Sequence, residues 1–379
     1  MVSGNLASSR NRSLGRELQL TALRHPVILL GGLVYDVKQA VTLSSASSVR
    51  DKTPLVSVII CTYNRPDYLA KAIASVVGGT YANVEIIVSS NLDSTETRAV
   101  VQAFKDPRIR LRCNATNIGI AGNHLAAFAE MTGNLFAVLN DDDEWEPDLL
   151  TRLVPLAADD DVVIAFCDHY IIDDQGRIDD YQTERNTRRW KRDTLLAGIH
   201  RPFFRIGLVQ QSIPIVMGAV IKSNAVDFTE FPLAAGPHFD LWMTYLAART
   251  GKGAYYLPER LVRYRVHASA QTGSQSPENS AASQYIYSRL LKDPELREYY
   301  AVFRARYAQA QVAHGIALLR QGSPREARSE LAAAMFSGFN ARAAFALMLS
   351  FLGTGIARGA ITIYARLRNF ANRTIVLDD

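Results

Sequence analysis

A short apolar run that ends in three consecutive aspartates constrains this chain more than any other stretch. Leu135-Phe136-Ala137-Val138-Leu139, bounded by Gly133-Asn134, has the length and content of a fully buried strand. Asn140-Asp141-Asp142-Asp143-Glu144-Trp145-Glu146 follows it. Pro147 then suits a first helical turn, with Leu149, Leu150, Leu153 and Val154 recurring at helical spacing. Three carboxylates at the carboxyl end of a buried strand stand where open α/β sheets bind ligands. Packed together they repel unless a cation neutralises them, and hard oxygen donors suit Mg or Mn. The plain alternative is an acidic turn that caps the next helix.

The surroundings decide between these readings. Leu55 to Cys61 is a second buried run, followed by the polar turn Thr62-Tyr63-Asn64-Arg65-Pro66 and a helical pattern from Asp67 to Val77. Val84 to Val88 is a third, ending in Ser89-Ser90-Asn91, with a helix expected from Thr95 to Phe104. Ile109 to Arg112 reads as a short strand, and a Gly/Asn-rich loop then leads into an alanine-rich helix ending near Met131. Strand and helix alternating over short links imply an α/β fold with a mainly parallel sheet sandwiched by helices. The polar strand ends then converge on one edge.

Farther along, Val162 to Cys167 and Ile215 to Ile221 read as strands. Asp173-Asp174-Gln175-Gly176 reads as a hairpin turn, and residues 179–215 as charged and irregular. Phe239 to Thr250 is helical in pattern, and Ala254 to Leu257 and Leu261 to Val266 are strand-like. The Ser/Gly/Pro stretch from Gly273 to Ala282 marks a boundary, beyond which every pattern is helical. The expected organisation is a basic N-terminal extension over 1–53, an α/β domain over 54–275 and an all-α C-terminal region over 276–379. Tyr307 to Gln321 and Pro324 to Met335 resemble one tetratricopeptide-type unit, too little for a repeat array.

Charge is uneven. Residues 1–53 carry seven Lys/Arg against three acids and residues 280–379 thirteen against seven, so a net charge of +5 conceals an acidic middle. A basic periphery suits an anionic surface outside the active site. The apolar run His25–Val41 is too short to span a bilayer and is expected to be a helix on the main domain or on a membrane surface. Leu331 to Leu377 holds five arginines and no acid. A helix pair in the membrane interface, or one packed on the catalytic domain, is expected there. No aromatic-basic nucleic-acid motif occurs. Single cysteines Cys61, Cys113 and Cys167 without CxxC spacing point to reduced thiols in a cytoplasmic protein.

Three blocks between Pro54 and Leu150 together resemble the nucleotide-binding half of inverting family 2 glycosyltransferases of the GT-A fold. They are Val58 to Arg65, Asn117-Ile118-Gly119 through Asn123 with Gly133, and Leu139 to Asp143 with Trp145, Pro147 and Leu150. The resemblance implies a nucleotide-diphosphate sugar donor and a divalent cation, Mn or Mg. It implies donor contacts at Thr62, Tyr63, Asn64, Arg65, Asn91, Gly119, Asn123, Asp141 and Arg265. Asp142 becomes the principal metal ligand, assisted by Asp143 and by His267 in the segment Tyr264-Arg265-Val266-His267. Where the family carries two aspartates after its second strand, Ser90-Asn91 stand here. Its middle-loop arginine is Gly122, so Arg65 or Arg112 would contact the diphosphate. The family's acid pair before the Asp-Leu-Trp helix start is Pro237-His238, leaving His238 and Asp240 as alternative general bases.

The implied activity is cation-dependent, inverting transfer to a glycan or lipid-linked acceptor in surface-polysaccharide synthesis. The enzyme would be peripheral on the inner membrane face, with a homo-oligomer open. Two rivals remain: a sugar nucleotidyltransferase, which wants a glycine-rich loop where Thr62 to Pro66 has none, and an inactive scaffold that binds partners through its helical tail.

Overall fold

The chain divides into two units, residues 1–52 and residues 53–379. A computed structural model describes residues 28–30, 33–35, 53–228, 231–267, 276–336, 341–352 and 359. In the first unit, β1 (Ile28–Leu30) and β2 (Leu33–Tyr35) pair antiparallel, with Leu30 opposite Leu33. This corrects the helix expected over 25–41. Gly-Gly between two apolar triplets is a two-residue hairpin signal, and it outweighs the length of the apolar run.

The second unit opens with β3 (Val56–Thr62), α1 (Pro66–Val77), β4 (Val84–Ser90), α2 (Thr95–Ala103) and β5 (Ile109–Cys113). It continues through α3 (Gly119–Phe128), β6 (Leu135–Asn140), β7 (Glu144–Trp145), α4 (Leu149–Ala157) and β8 (Val162–Ile172). Next come α5 (Asp180–Arg189), β9 (Gly198–His200), β10 (Ala219–Lys222), α6 (Phe239–Arg249) and β11 (Gly253–Arg265). The helices α7 (Pro277–Leu290), α8 (Tyr300–Gln321), α9 (Pro324–Phe336) and α10 (Ala341–Leu349) complete it.

The sheet runs β5-β4-β3-β6-β10-β8-β11-β7, with β9 on β11. β5, β4, β3 and β6 are parallel, β10 is antiparallel to both its neighbours, and β8 and β11 are again parallel to each other. Strands covered on both faces read as continuous apolar runs, and β3 shows why. Its Ile59 packs with Phe128, Phe136 and Met243 on one face, while Val58 and Ile60 pack with Leu69, Ile73 and Leu153 on the other. Ser94 Oγ accepts from Thr97 N at 3.1 Å and starts α2.

Register sets the functional edge. Thr62 lies beside Ser90 and Cys61 beside Asn140, so β3, β4 and β6 end together. β11 runs in the same direction as β8, bringing residues 265–267 to that edge too. Gly133 guards the entry to β6. A Cβ there would meet Leu55 O at 2.6 Å, Ser57 Oγ at 2.8 Å and Leu135 O at 2.9 Å, two of them backbone atoms that cannot turn away. Gly133→Ala is therefore expected to lower stability by about 3 kcal/mol in urea denaturation.

Several expectations over the second half are corrected. Residues 179–215 contain α5 and are anchored by buried polar pairs. Asp168 accepts from Thr187 Oγ1 and Arg192 Nε, both at 2.6 Å, and Arg192 also donates to Ser212 O. The strand expected at 215–221 shrinks to β10, because residues 215–218 form a turn. β11 is one strand rather than two, with register shifts near Leu257 and Arg260. The expected linker from 273 to 282 is already helical from Pro277. Ile286, Tyr287 and Leu290 of α7 join the cluster of Phe136 and Phe166, so this helix completes the sheet's core. The apolar stretch 343–364 includes α10, and its later part lies outside the described residues. Among the described residues no helix is long and apolar enough to cross a membrane.

Candidate active site

The turn after β3 builds the first wall of the site. Asn64 takes a left-handed conformation at φ 55°, which asparagine tolerates. Pro66 begins α1 immediately afterwards. Between them Arg65 bends back, its Nη1 lying 3.2 Å from Asp141 Oδ1 and 2.6 Å from Asp142 Oδ2. Thr62 Oγ1 donates to Asp141 Oδ2 at 2.7 Å, and the Tyr63 amide also serves Asp141. Tyr63 and Asn64 themselves are exposed.

The opposite wall comes from the end of β11. His267 Nε2 is 3.0 Å from Asp142 Oδ2, and the His267 ring lies 5.0 Å from that of Tyr68 on α1. Arg265 is fully buried. Its amide donates to Asp143 Oδ1 at 2.9 Å and its Nε to Asp142 O at 3.0 Å. Nη1 reaches Asp173 O and Asp174 O, and Nη2 pairs with Glu144. Arg265 thus braces the acidic loop from behind; the guanidinium expected on the donor is turned to the protein.

Asp141 and Asp143 are buried without enough positive charge. Burial first, and then the Asp142 charge, push the Asp141 carboxyl up to about 6, against the pull of Arg65 and Thr62. The same two causes hold Asp143 well above the carboxylate range, although Arg265 N and Asn140 oppose them. A carboxyl whose folded pKa is raised binds its proton more tightly folded than unfolded. The stability Asp141 gives is therefore full at low pH and is lost as pH rises from about 4 through about 6. Without added cation, unfolding free energy should fall by about 3 kcal/mol across that window relative to Asp141→Asn. Equal pH slopes in denaturant titrations of the two proteins would contradict this.

Such strain is what a bound cation relieves. Among the described residues no three His, Cys, Asp or Glu donors converge. Asp142 and His267 do meet, setting a carboxylate oxygen of the kind Mg or Mn takes beside an imidazole nitrogen. These residues fit a divalent cation.

A second polar network joins β4 to α3. Asn91 Nδ2 donates to Asn117 Oδ1 and Gly119 O, and its Oδ1 accepts from Ile118 N and Asn114 Nδ2. Asn123 Oδ1 accepts from Ser89 Oγ and Asn114, while its Nδ2 donates to Ser89 O. Asn91 and Asn123 thus stand at the expected edge with their amides committed to holding the loop. Gly119, at φ 79°, stays exposed. Arg112 donates to Ser89 Oγ and Asn114 Oδ1, which leaves Arg65 as the arginine beside the carboxylates.

The candidate bases sit on a third group. His238 closes a 3-10 turn before α6, and its Nε2 lies 2.8 Å from Ser283 Oγ of α7. Burial raises the Asp240 carboxyl, opposed by His238 and by the Leu241 amide, which donates to Oδ1 at 2.8 Å. The Phe239 ring between them lies tilted against His124 of α3, centroids 4.1 Å apart, tying this turn to the helix that follows the Asn91-bonded loop. Among the described residues no hydrogen bond joins His238 or Asp240 to Asp142. Ser283, Tyr68 and Asn114 were not foreseen. Only Asn114, in the Asn-rich loop, carried a local signal.

Known proteins resemble this chain in sequence and in fold. Residues 57–212 match the model of glycosyl transferase family 2. An uncharacterized glycosyltransferase of Haemophilus influenzae is 26% identical over 241 residues, 62% of this chain and 73% of its own. The UDP-Glc:alpha-D-GlcNAc-diphosphoundecaprenol beta-1,3-glucosyltransferase WfaP of Escherichia coli is 25% identical over 62% of this chain and 86% of its own. Among solved structures, S. aureus TarS 1-349 in complex with UDP-GlcNAc superposes with a TM-score of 0.55 at 12% identity, covering 82% of this chain and 91% of that one. The family model and these relatives agree: residues 57–212 of this chain form a family 2 glycosyltransferase domain, and its α/β sheet matches that of GT-A neighbours.

Proposed function

We propose that this enzyme moves a sugar from a nucleoside-diphosphate donor to a hydroxyl of a lipid-linked glycan, with inversion, at the inner face of a membrane. The observation that carries the reading is the meeting of Asp141, Asp142, Thr62, Arg65 and His267 at the ends of β3, β6 and β11. The acceptor class is supported by the E. coli relative, a glucosyltransferase named for a diphosphoundecaprenol-linked sugar.

Each residue has a task the geometry allows. Asp142 and His267 would hold Mn or Mg, and the ion would stabilise negative charge on the departing diphosphate. Arg65 supplies a fixed positive charge at the same point. The exposed ring of Tyr63 offers a face for the nucleoside base. Inversion needs a single displacement, hence one base and no protein nucleophile. His238, anchored at Nε2 by Ser283, is left with Nδ1 to take the acceptor proton.

The test is release of nucleoside diphosphate from UDP- and GDP-hexoses, with a prenyl-diphosphate monosaccharide as acceptor, in Mn and in chelator. Mn-dependent release with an inverted linkage by NMR is expected. Release unaffected by chelator, or a retained configuration, would overturn the proposal.

A further inference from the structure

The helix α10 is built the wrong way round for a helix facing water. Its small residues Ala343 and Ala346, with Leu349, are buried against α8 and α9. Its large ones face out: Phe345 is 42% and Met348 55% exposed, continued by Leu352 at 49% and Phe351 at 66%. Positions 345 and 348 share one side of the helix at i, i+3 spacing, and the turn that follows adds the exposed Phe351 and Leu352. Phe336, at the end of α9, is 93% exposed. Large exposed apolar side chains gathered on one side of a helix in this way mark an interaction site.

Charge selects the occupant. From Leu331 to Leu377 the chain has five arginines and no acid. Arg328 lies in this face, its guanidinium 4.4 Å from the Phe351 ring centre and hydrogen-bonded to Ser350 O. Arg342 is the charged residue of α10, so a second copy docked on it face to face would set arginine against arginine, the neighbouring carboxylates Glu326 and Glu330 lying on α9. The chain's own continuation, residues 353–377, brings four more arginines and has the same defect. An anionic bilayer answers both features, taking apolar side chains into its interface and drawing the arginines to its headgroups.

We infer that the outward face of α10, with Phe336 and Phe351, docks on an anionic lipid surface. This deepens the proposed function, resting on it only for the lipid-linked acceptor. The patch is linked to the catalytic turn through packed helices. α10 packs on α9, and α9 on α8 where Gly315 lets Leu331 approach. Ser280 of α7 then bonds His314 of α8, and Ser283 of α7 holds His238.

The test is vesicle flotation of the full chain with phosphatidylcholine alone and with about one-third phosphatidylglycerol. The wild type should float with the anionic vesicles only, and less at raised salt. Phe345→Ser/Met348→Ser/Leu352→Ser should lower bound protein at least about tenfold, leaving hydrolysis of the nucleoside-diphosphate sugar unchanged. Equal flotation of the variant, no flotation of the wild type, or equal flotation with neutral vesicles would overturn the inference. So would a variant that turns from dimer to monomer without vesicles, which would make a second copy the occupant. The salt series needs no variant, so a misfolded one does not block the test. Flotation as expected with no hydrolysis would instead fault the proposed reaction.

Discussion

Asp142→Asn should reduce sugar transfer by about a thousandfold or more while the protein stays folded. Asp142 is where the two walls of the site meet. Its Oδ2 receives both Arg65 Nη1 and His267 Nε2, one from the loop after β3 and the other from the end of β11. An asparagine keeps the shape but removes the negative charge that any cation at this point requires. The fold should tolerate the change, because the loop's other anchors are untouched: Arg265 holds Asp142 by its backbone carbonyl and Asp143 by its carboxylate. The change also removes one member of a set of mutually repelling carboxylates, so an unfolding midpoint at or above the wild-type value is expected. Transfer within tenfold of wild type would remove Asp142 from the mechanism. Lost transfer with a collapsed melting curve would make its role structural.

The second large effect is expected at His238. His238→Ala should lower kcat by about a hundredfold to ten-thousandfold, the range of a lost general base, with little change in donor KM. Asp240→Asn should cost less. One Asp240 oxygen is occupied by the Leu241 amide and its carboxyl is held protonated to higher pH by burial. His238 instead is fixed at one ring nitrogen by Ser283 and keeps the other for a substrate hydroxyl. A larger kcat loss in Asp240→Asn would reverse the assignment.

The parts of this molecule legible in sequence are those where burial writes one pattern. Val56 to Ile60, Val84 to Val88 and Leu135 to Leu139 are buried on both faces, and their apolar runs announce it. The edge they share follows from parallel pairing, so Thr62, Asn91 and Asp141 could be placed together before any coordinates. Long-range polar pairing leaves no such trace. Half the residues of α5 are charged, and what ties it to this fold is its Thr187, with Arg192 just beyond its end, meeting Asp168 on β8. Arg265 shows the same limit. Its position beside His267 suggests a ligand contact, and only the backbone carbonyls of Asp142, Asp173 and Asp174 reveal a brace. Asn91 likewise stands where a base-reading residue would, but its four hydrogen bonds depend on loops 23 to 28 residues away.

The account turns on whether the strand-end carboxylates and a divalent cation together hold a nucleoside diphosphate. Calorimetric titration of UDP and GDP into the full chain, with Mn and with chelator, measures this directly. One of the two should bind only in Mn, and the Asp142→Asn protein should show no binding under either condition. Diphosphate binding of equal affinity in chelator, or undiminished in Asp142→Asn, would contradict it.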